Sequence, residues 1–272
     1  MASQIGFLVP QDTPDIHFDQ TSYTRQRTDA PRNSIVRVYF EERDLTLSYY
    51  NNRFDLYCGD YVFVEGKLDG VQGRVVEVNY NFKIKSSDYM RVIAVADTDV
   101  RGQFYFAGSH FVAFQPSVLP AEKVKTWFMP ACDGDEEVIS SYDDTSFLLE
   151  NLNEWNVSTA VAKHGKEYYM ANKVEYLCLN GTKGYALVQG SHMYEVEFTY
   201  EDGAVSRLTC SCYCCSHCKH EVAALLQLRE TLEQIGEHYG EVYKQTGYFA
   251  AVSRSALFTY AVDTKEAGCF TL

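Results

Sequence analysis

The sequence predicts an α+β fold with a β-rich, barrel-like N-terminal part, a mixed middle region, and a C-terminal β-hairpin that runs into a helix. Three observations carry this. Short β-branched runs alternate with turn formers along most of the 272 residues. The 21 Tyr and 16 Phe favour pleated, half-buried surfaces. After His220 the apolar spacing changes from a period of two to steps of three and four.

Residues 1–33 carry Pro10, Pro14 and Pro31 among Asp, Thr, Gln and Arg, and read as an irregular N-terminal segment. Ile35–Phe40 opens a β-rich domain over 34–118. Its further strands are Tyr61–Glu65, Gly73–Val78 and Met90–Val95, punctuated by Gly66, Asp69-Gly70 and Ser86-Ser87-Asp88. Tyr57–Val78 shows a faint likeness to SH3-type barrels. Gln103–Phe106 and Phe111–Phe114 read as a hairpin around Gly108. Residues 119–165 form a mixed connecting region, with short helices expected at Ala121–Phe128 and Phe147–Trp155. Between them, Asp133-Gly134-Asp135-Glu136-Glu137 lacks the ligand positions and terminal Glu of a calcium loop and reads as a solvated acidic turn. Past 165, strands are expected at Glu167–Met170, Val174–Leu179, Tyr185–Val188, Met193–Tyr200 and Val205–Cys212. Asn180-Gly181 and Gly190-Ser191 supply the turns. Val222, Leu225, Leu226, Leu232 and Ile235 then mark a helix, and 236–272 is expected to pack on the module as a C-terminal extension.

The composition is 46% hydrophobic and 22% charged, enough apolar surface to offset the entropy of ordering, which excludes long disorder. A formal charge of -13 opposes indiscriminate coating of phosphate backbones. No run is long and apolar enough for a membrane helix, and the N-terminus lacks the basic start of an export signal, so a cytoplasmic protein without a membrane partner is expected. Five of the nine cysteines fall between Cys210 and Cys218. That clustering in a chain without an export signal points to reduced thiols and a metal rather than a disulfide framework.

In an extended strand Cys210 and Cys212 project from one face. Cys218 and His220 are two apart, and within one helix they would point nearly opposite ways. Cys218 is therefore placed just before the first helical turn and His220 inside it. Three thiolates and one imidazole satisfy a four-coordinate zinc site. Cys214, Cys215 and His217 are alternative donors within the same stretch, and free thiols or a vicinal Cys214–Cys215 disulfide are the competing readings. Four strong donors leave no position for a reactant, so a single structural Zn2+ is expected rather than a catalytic one. Lys219 and Arg207 stand close enough in sequence to moderate its charge.

The run C210-S-C212 followed by C218-K-H220 resembles the SWIM zinc finger, whose pattern is C-x-C, a spacer, then C-x-H. Ala186–Val196 resembles the hairpin that precedes its ligands, and Glu221–Leu226 resembles the helix that follows them. The likeness covers roughly 168–232, within a module placed at 166–235. It implies Cys210, Cys212, Cys218 and His220 as ligands. The five-residue spacer Tyr213–His217 is shorter than this family usually shows.

Other candidates are weaker. His110 and His164 stand isolated and read as ordinary surface or satisfied core histidines. Cys58 is expected to pack as a small buried residue. No nucleophile elbow, phosphate loop, metalloprotease helix or dinucleotide fingerprint occurs, so no catalytic or cofactor-binding residue is assigned. Arg25, Arg27, Arg32 and Arg37 form a locally basic stretch opposed by Asp29. SWIM modules are associated with DNA-binding and protein-interaction roles. The functional expectation is a non-enzymatic adaptor with a protein partner, placed in a nucleic-acid-handling complex. Direct DNA or RNA binding is the first alternative, and an enzyme with its site in the N-terminal β-rich part is the second.

Overall fold

A computed structural model describes residues 30–130, 139–143, 145–152, 155–214 and 216–261, together with the backbone of 268–271. The acidic run Asp133–Glu137, Arg25, Arg27, Cys132, Cys215 and most of the N-terminal segment lie outside the described residues. The architecture is α+β, with five α-helices and two sheets among the described residues.

The smaller sheet holds β1 (Ser34–Phe40), β2 (Leu45–Asn51), β3 (Tyr61–Val64), β4 (Gly73–Asn79) and β5 (Val92–Val95), in the order β2-β1-β4-β3-β5. Alternation places Val36, Val38 and Phe40 on one face, where they pack with Tyr49, Val62, Val64, Val75 and Leu56. The barrel expectation needs correction. The sheet does not close: its outer strands meet only at one isolated bridge, where the Tyr50 N–H donates to the Met90 carbonyl at 2.9 Å. Cys58 is likewise corrected, being exposed at the entry to β3 rather than buried. Arg32 lies 3.5 Å over the Tyr80 ring and Arg37 pairs with Glu77 at 3.3 Å, which engages the described half of the basic stretch.

The larger sheet contains β6 (Gly102–Ala107), β7 (His110–Ala113), β8 (Ser146–Leu148), β9 (Val174–Asn180), β10 (Lys183–Gln189), β11 (Met193–Glu201), β12 (Ala204–Cys210), β13 (Tyr248–Ser253) and β14 (Gly268–Thr271). Their order is β14-β6-β7-β13-β9-β10-β11-β12-β8. All its pairs are antiparallel except β14 with β6. The expected hairpins at 102–113 and 185–200 are present, the latter in a register that sets Ala186 opposite Val196.

Strand alternation divides the larger core in two. Leu177, Leu179, Ala186, Val188, Phe249 and Ala251 face α3 (Lys219–His238). Tyr176, Cys178, Leu187, Ala250 and Val252 face α1 (Ala121–Phe128) and α5 (Arg254–Tyr260). The remaining helices are α2 (Thr159–Met170), packed along α3, and α4 (Gly240–Thr246).

Two segments depart from expectation. Glu167–Met170 ends α2 instead of forming a strand. Ser158 caps that helix by accepting from the Val161 N–H at 3.3 Å. Val161, Tyr168 and Tyr169 then pack into the helix-covered core at helical steps, overriding the β preference of two adjacent tyrosines. Among the described residues of Phe147–Trp155 the expected helix is not formed: the first two belong to β8, paired to β12, and Leu149–Asn151 form one 3-10 turn. Trp155 stacks on Phe147 at 4.8 Å instead.

Candidate metal centre

The site lies where β12 ends and α3 begins. Cys210 is the last residue of β12 and pairs with Val196 of β11. The chain beyond it is held to β11 by a reciprocal clamp: Ser211 N–H donates to the Glu195 carbonyl and Ser211 Oγ accepts from Glu195 N–H, both at 2.9 Å. This carries the strand direction past its last ladder bond and fixes where Cys212 starts.

Cys218 is the N-cap of α3 and closes a capping box. Its thiol accepts from the N–H of Glu221, and the Glu221 carboxylate accepts from the Cys218 N–H at 2.9 Å. The expected strand over Val205–Cys212 stops two residues short, at Cys210.

Sγ of Cys210, Cys212 and Cys218 and one ring nitrogen of His220 all lie within 4.8 Å of one another. His220 Nδ1 stands 3.8 Å from Cys210 Sγ and 3.7 Å from Cys218 Sγ. Cys218 and His220 are buried, while Cys210 and Cys212 are half-buried. Backbone amides point at each sulfur: Cys212 N–H at Cys210, Cys214 N–H at Cys212, and Glu221 N–H at Cys218. Such donors stabilise sulfur in its anionic form, the form that ligates metals. Within the cluster the hydrogen bond from Cys210, with further help from His220 and the Glu221 amide, holds the Cys218 thiol well below the ordinary range. Its partner Cys210 is raised by the same contact and by burial. Burial pushes Cys212 up to about 11. The four side chains thus form a sulfur-rich group compatible with a metal ion.

The imidazole is fixed on every side. It stacks on Tyr194 with centroids 4.2 Å apart and meets the Tyr168 ring edge-on at 5.6 Å. Its Nε2 is buried, has no hydrogen-bond partner and sits against Gly190, where a Cβ would come 3.1 Å from Nε2 and 2.7 Å from the Tyr194 ring. Gly190 therefore does more than turn the β10–β11 hairpin: its missing side chain admits the histidine.

Of the alternative donors, His217 is turned away, with Nδ1 3.2 Å from Glu221 Oε2 and its ring against Trp155 at 4.6 Å. Cys214 is an exposed free thiol. The Lys219 ammonium lies 4.5 Å over Tyr168, and Arg207 lines a separate hollow with Tyr142, Lys183 and Glu197. His164 is exposed on α2, whereas His110 is buried, bonded to Ser109 Oγ at 2.9 Å and the Val174 carbonyl at 2.8 Å.

Sequence reasoning missed the supports of the site. Glu221 is buried and pushed up to about 8, by burial first and then by the Cys218 charge. The signal was present: C218-x-x-E221 is the capping-box spacing, with cysteine where serine or threonine is usual. Gly165 also escaped notice. A Cβ there would lie 2.4 Å from Val222 Cβ, so only glycine lets α2 approach the first turns of α3 this closely. Comparison with protein-family models, with curated proteins and with solved structures returned no match.

No helix among the described residues is long and apolar enough to cross a membrane.

Proposed function

We propose that the chain is a SWIM-type, non-enzymatic interaction adaptor whose C-terminal module is held together by one structural Zn2+ on Cys210, Cys212, Cys218 and His220. The observation that carries this reading is the spacing of the four donors. Tetrahedral zinc with ordinary Zn–S and Zn–N bonds separates sulfur from nitrogen by about 3.6 Å, and the two measured separations are 3.8 and 3.7 Å. Three sulfurs and an imidazole also suit zinc over the hard, oxygen-seeking cations. A set of four protein ligands fills the coordination sphere and leaves no place for substrate, which supports a structural role.

The test is metal content after zinc-replete expression. The wild-type chain should retain one equivalent, and Cys212→Ser or His220→Ala should lose it together with amide protection around α3, since metal affinity is folding free energy in such modules. Less than half an equivalent in the wild type overturns the zinc reading. A pull-down from native extract, with His220→Ala as control, then tests the adaptor role: a partner that the variant captures equally well argues against it.

One observation favours the second reading, direct nucleic-acid binding. On a chain of charge -13, Lys163, His164 and Lys166 are exposed on α2, with Lys163 paired to Glu167 at 3.9 Å. Duplex or single-strand affinity that falls steeply with salt would establish that reading over the adaptor.

A further inference from the structure

Strand alternation turns Lys183, Tyr185, Glu197 and Thr199 to the face of β10 and β11 away from α3, with Lys183 opposite Thr199 and Tyr185 opposite Glu197. With Tyr142 and Arg207 they line a hollow of about 350 Å3, at the lower end of the range of about 300–1,000 Å3 that ligand sites occupy. Arg207 reaches it from a bulge in β12, where Arg207 and Leu208 together oppose the single residue Phe198. Its φ is +52°, in the left-handed region, where such a bulge ordinarily carries glycine. The other described non-glycine residues with positive φ are Asp44, Asn172 and Asp202, whose short polar side chains tolerate that region. Arginine has no such compensation. Among the described residues its guanidinium and the Lys183 ammonium have neither an ion-pair nor a hydrogen-bond partner, and Glu197 pairs with neither of them. A strained backbone thus holds one unpaired cation beside another, on a chain of charge -13.

We propose that this hollow, separate from the four-donor group, is a binding site for a phosphate monoester. Arg207 offers its planar fork to two phosphate oxygens, Lys183 supplies a point charge, and the Thr199 hydroxyl is a further donor. Two cations against the single Glu197 carboxylate leave the hollow net positive. A phosphate monoester brings close to two negative charges and three acceptor oxygens, more than a carboxylate can offer these donors. The concave wall focuses the field of the two cations at one spot, whereas the overall charge of -13 repels an extended polyanion. The ligand is therefore a single phosphate group, borne by a small molecule or by a phosphorylated side chain.

The test follows amide chemical shifts of the isotope-labelled full-length chain as inorganic phosphate is added, against chloride at matched ionic strength. Phosphate should give saturating shifts around Lys183, Thr199 and Arg207 that chloride does not reproduce. Lys183→Ala and Arg207→Gly should each weaken binding about tenfold, while Glu197→Gln should tighten it, because a like charge leaves the hollow. Arg207→Gly should also keep or raise the urea midpoint, since glycine takes the positive φ without strain. A neutral peptide with one phosphoserine then separates the two sources: tighter binding than inorganic phosphate, lost in the unphosphorylated peptide, supports a phosphorylated protein, and equal or weaker binding supports a small ester. Shifts that do not saturate at millimolar phosphate, or that chloride reproduces, overturn the proposal. So does binding unchanged in both Lys183→Ala and Arg207→Gly. A lower midpoint for Arg207→Gly overturns it as well, because the arginine would then serve the bulge itself.

Discussion

Gly165→Ala and Gly236→Ala make the same chemical change in two helices and should have opposite consequences. In a helix interior, replacing glycine with alanine ordinarily stabilises by about 0.5–1 kcal/mol, through lower chain entropy in the unfolded state. Gly236 lies exposed in α3 and a Cβ there meets nothing within 4 Å, so the full gain is expected. At Gly165 the new methyl would stand 2.4 Å from Val222 Cβ, 2.5 Å from Val222 Cγ1 and 3.0 Å from the Lys219 carbonyl. Ordinary carbon contacts begin near 3.5 Å, so the helices must separate by about 1 Å. Valine cannot yield by rotation, because its helical rotamer is nearly fixed. Overpacking of this kind costs about 1–3 kcal/mol. Set against the propensity gain, Gly165→Ala should lose about 1–2 kcal/mol, a fall in Tm of roughly 2–8 °C for a chain of this size. Urea unfolding followed by circular dichroism reads both variants, and Val222→Ala added to Gly165→Ala should recover part of the loss. Two stabilising substitutions, or a double variant no better than the single one, would refute the close approach of α2 to α3.

Other expectations can be checked alongside. His110 is buried and its pKa is lowered to about 4, chiefly by burial. Between pH 6.5 and 4 the unfolded chain therefore binds the extra proton, so this group's contribution, about 3 kcal/mol by linkage, is present above pH 6.5 and lost as pH falls toward 4. His110→Gln should flatten the acid limb of stability against pH, and an unchanged slope would reject this account. Ser253 caps α5 by accepting from the Ala256 N–H at 3.1 Å and donates to the half-buried Glu175 carboxyl. Ser253→Ala removes both contacts and should cost about 1–3 kcal/mol in urea unfolding. Glu221→Ala removes the acceptor for the Cys218 N–H and the contact with His217, so zinc retention against a competing chelator should fall about tenfold or more. Retention equal to wild type would show that Cys218 does not depend on the capping box.

The candidate ligand group was legible because its determinants are local. Two cysteines at strand spacing, and a cysteine at the cap of a helix with a histidine in its first turn, bring their donors together once β12 ends and α3 starts. Helix α1 and the hairpins at 102–113 and 185–200 were legible on the same ground, since apolar period and turn residues act between near neighbours. Tertiary structure decided what depends on residues far apart in the chain. Whether Tyr168 and Tyr169 lie in a strand or a helix turned on the α3 surface they cover, and whether the first sheet closes turned on how its outer strands meet. The placement of β13 between β7 and β9 likewise came from pairings of distant segments. The supports of His220 have the same origin: Tyr194, Tyr168 and the space left by Gly190 come from β11, α2 and the β10–β11 turn. Strand partners and helix contacts depend on burial shared across the whole molecule, and that information is not carried by the spacing within any one segment.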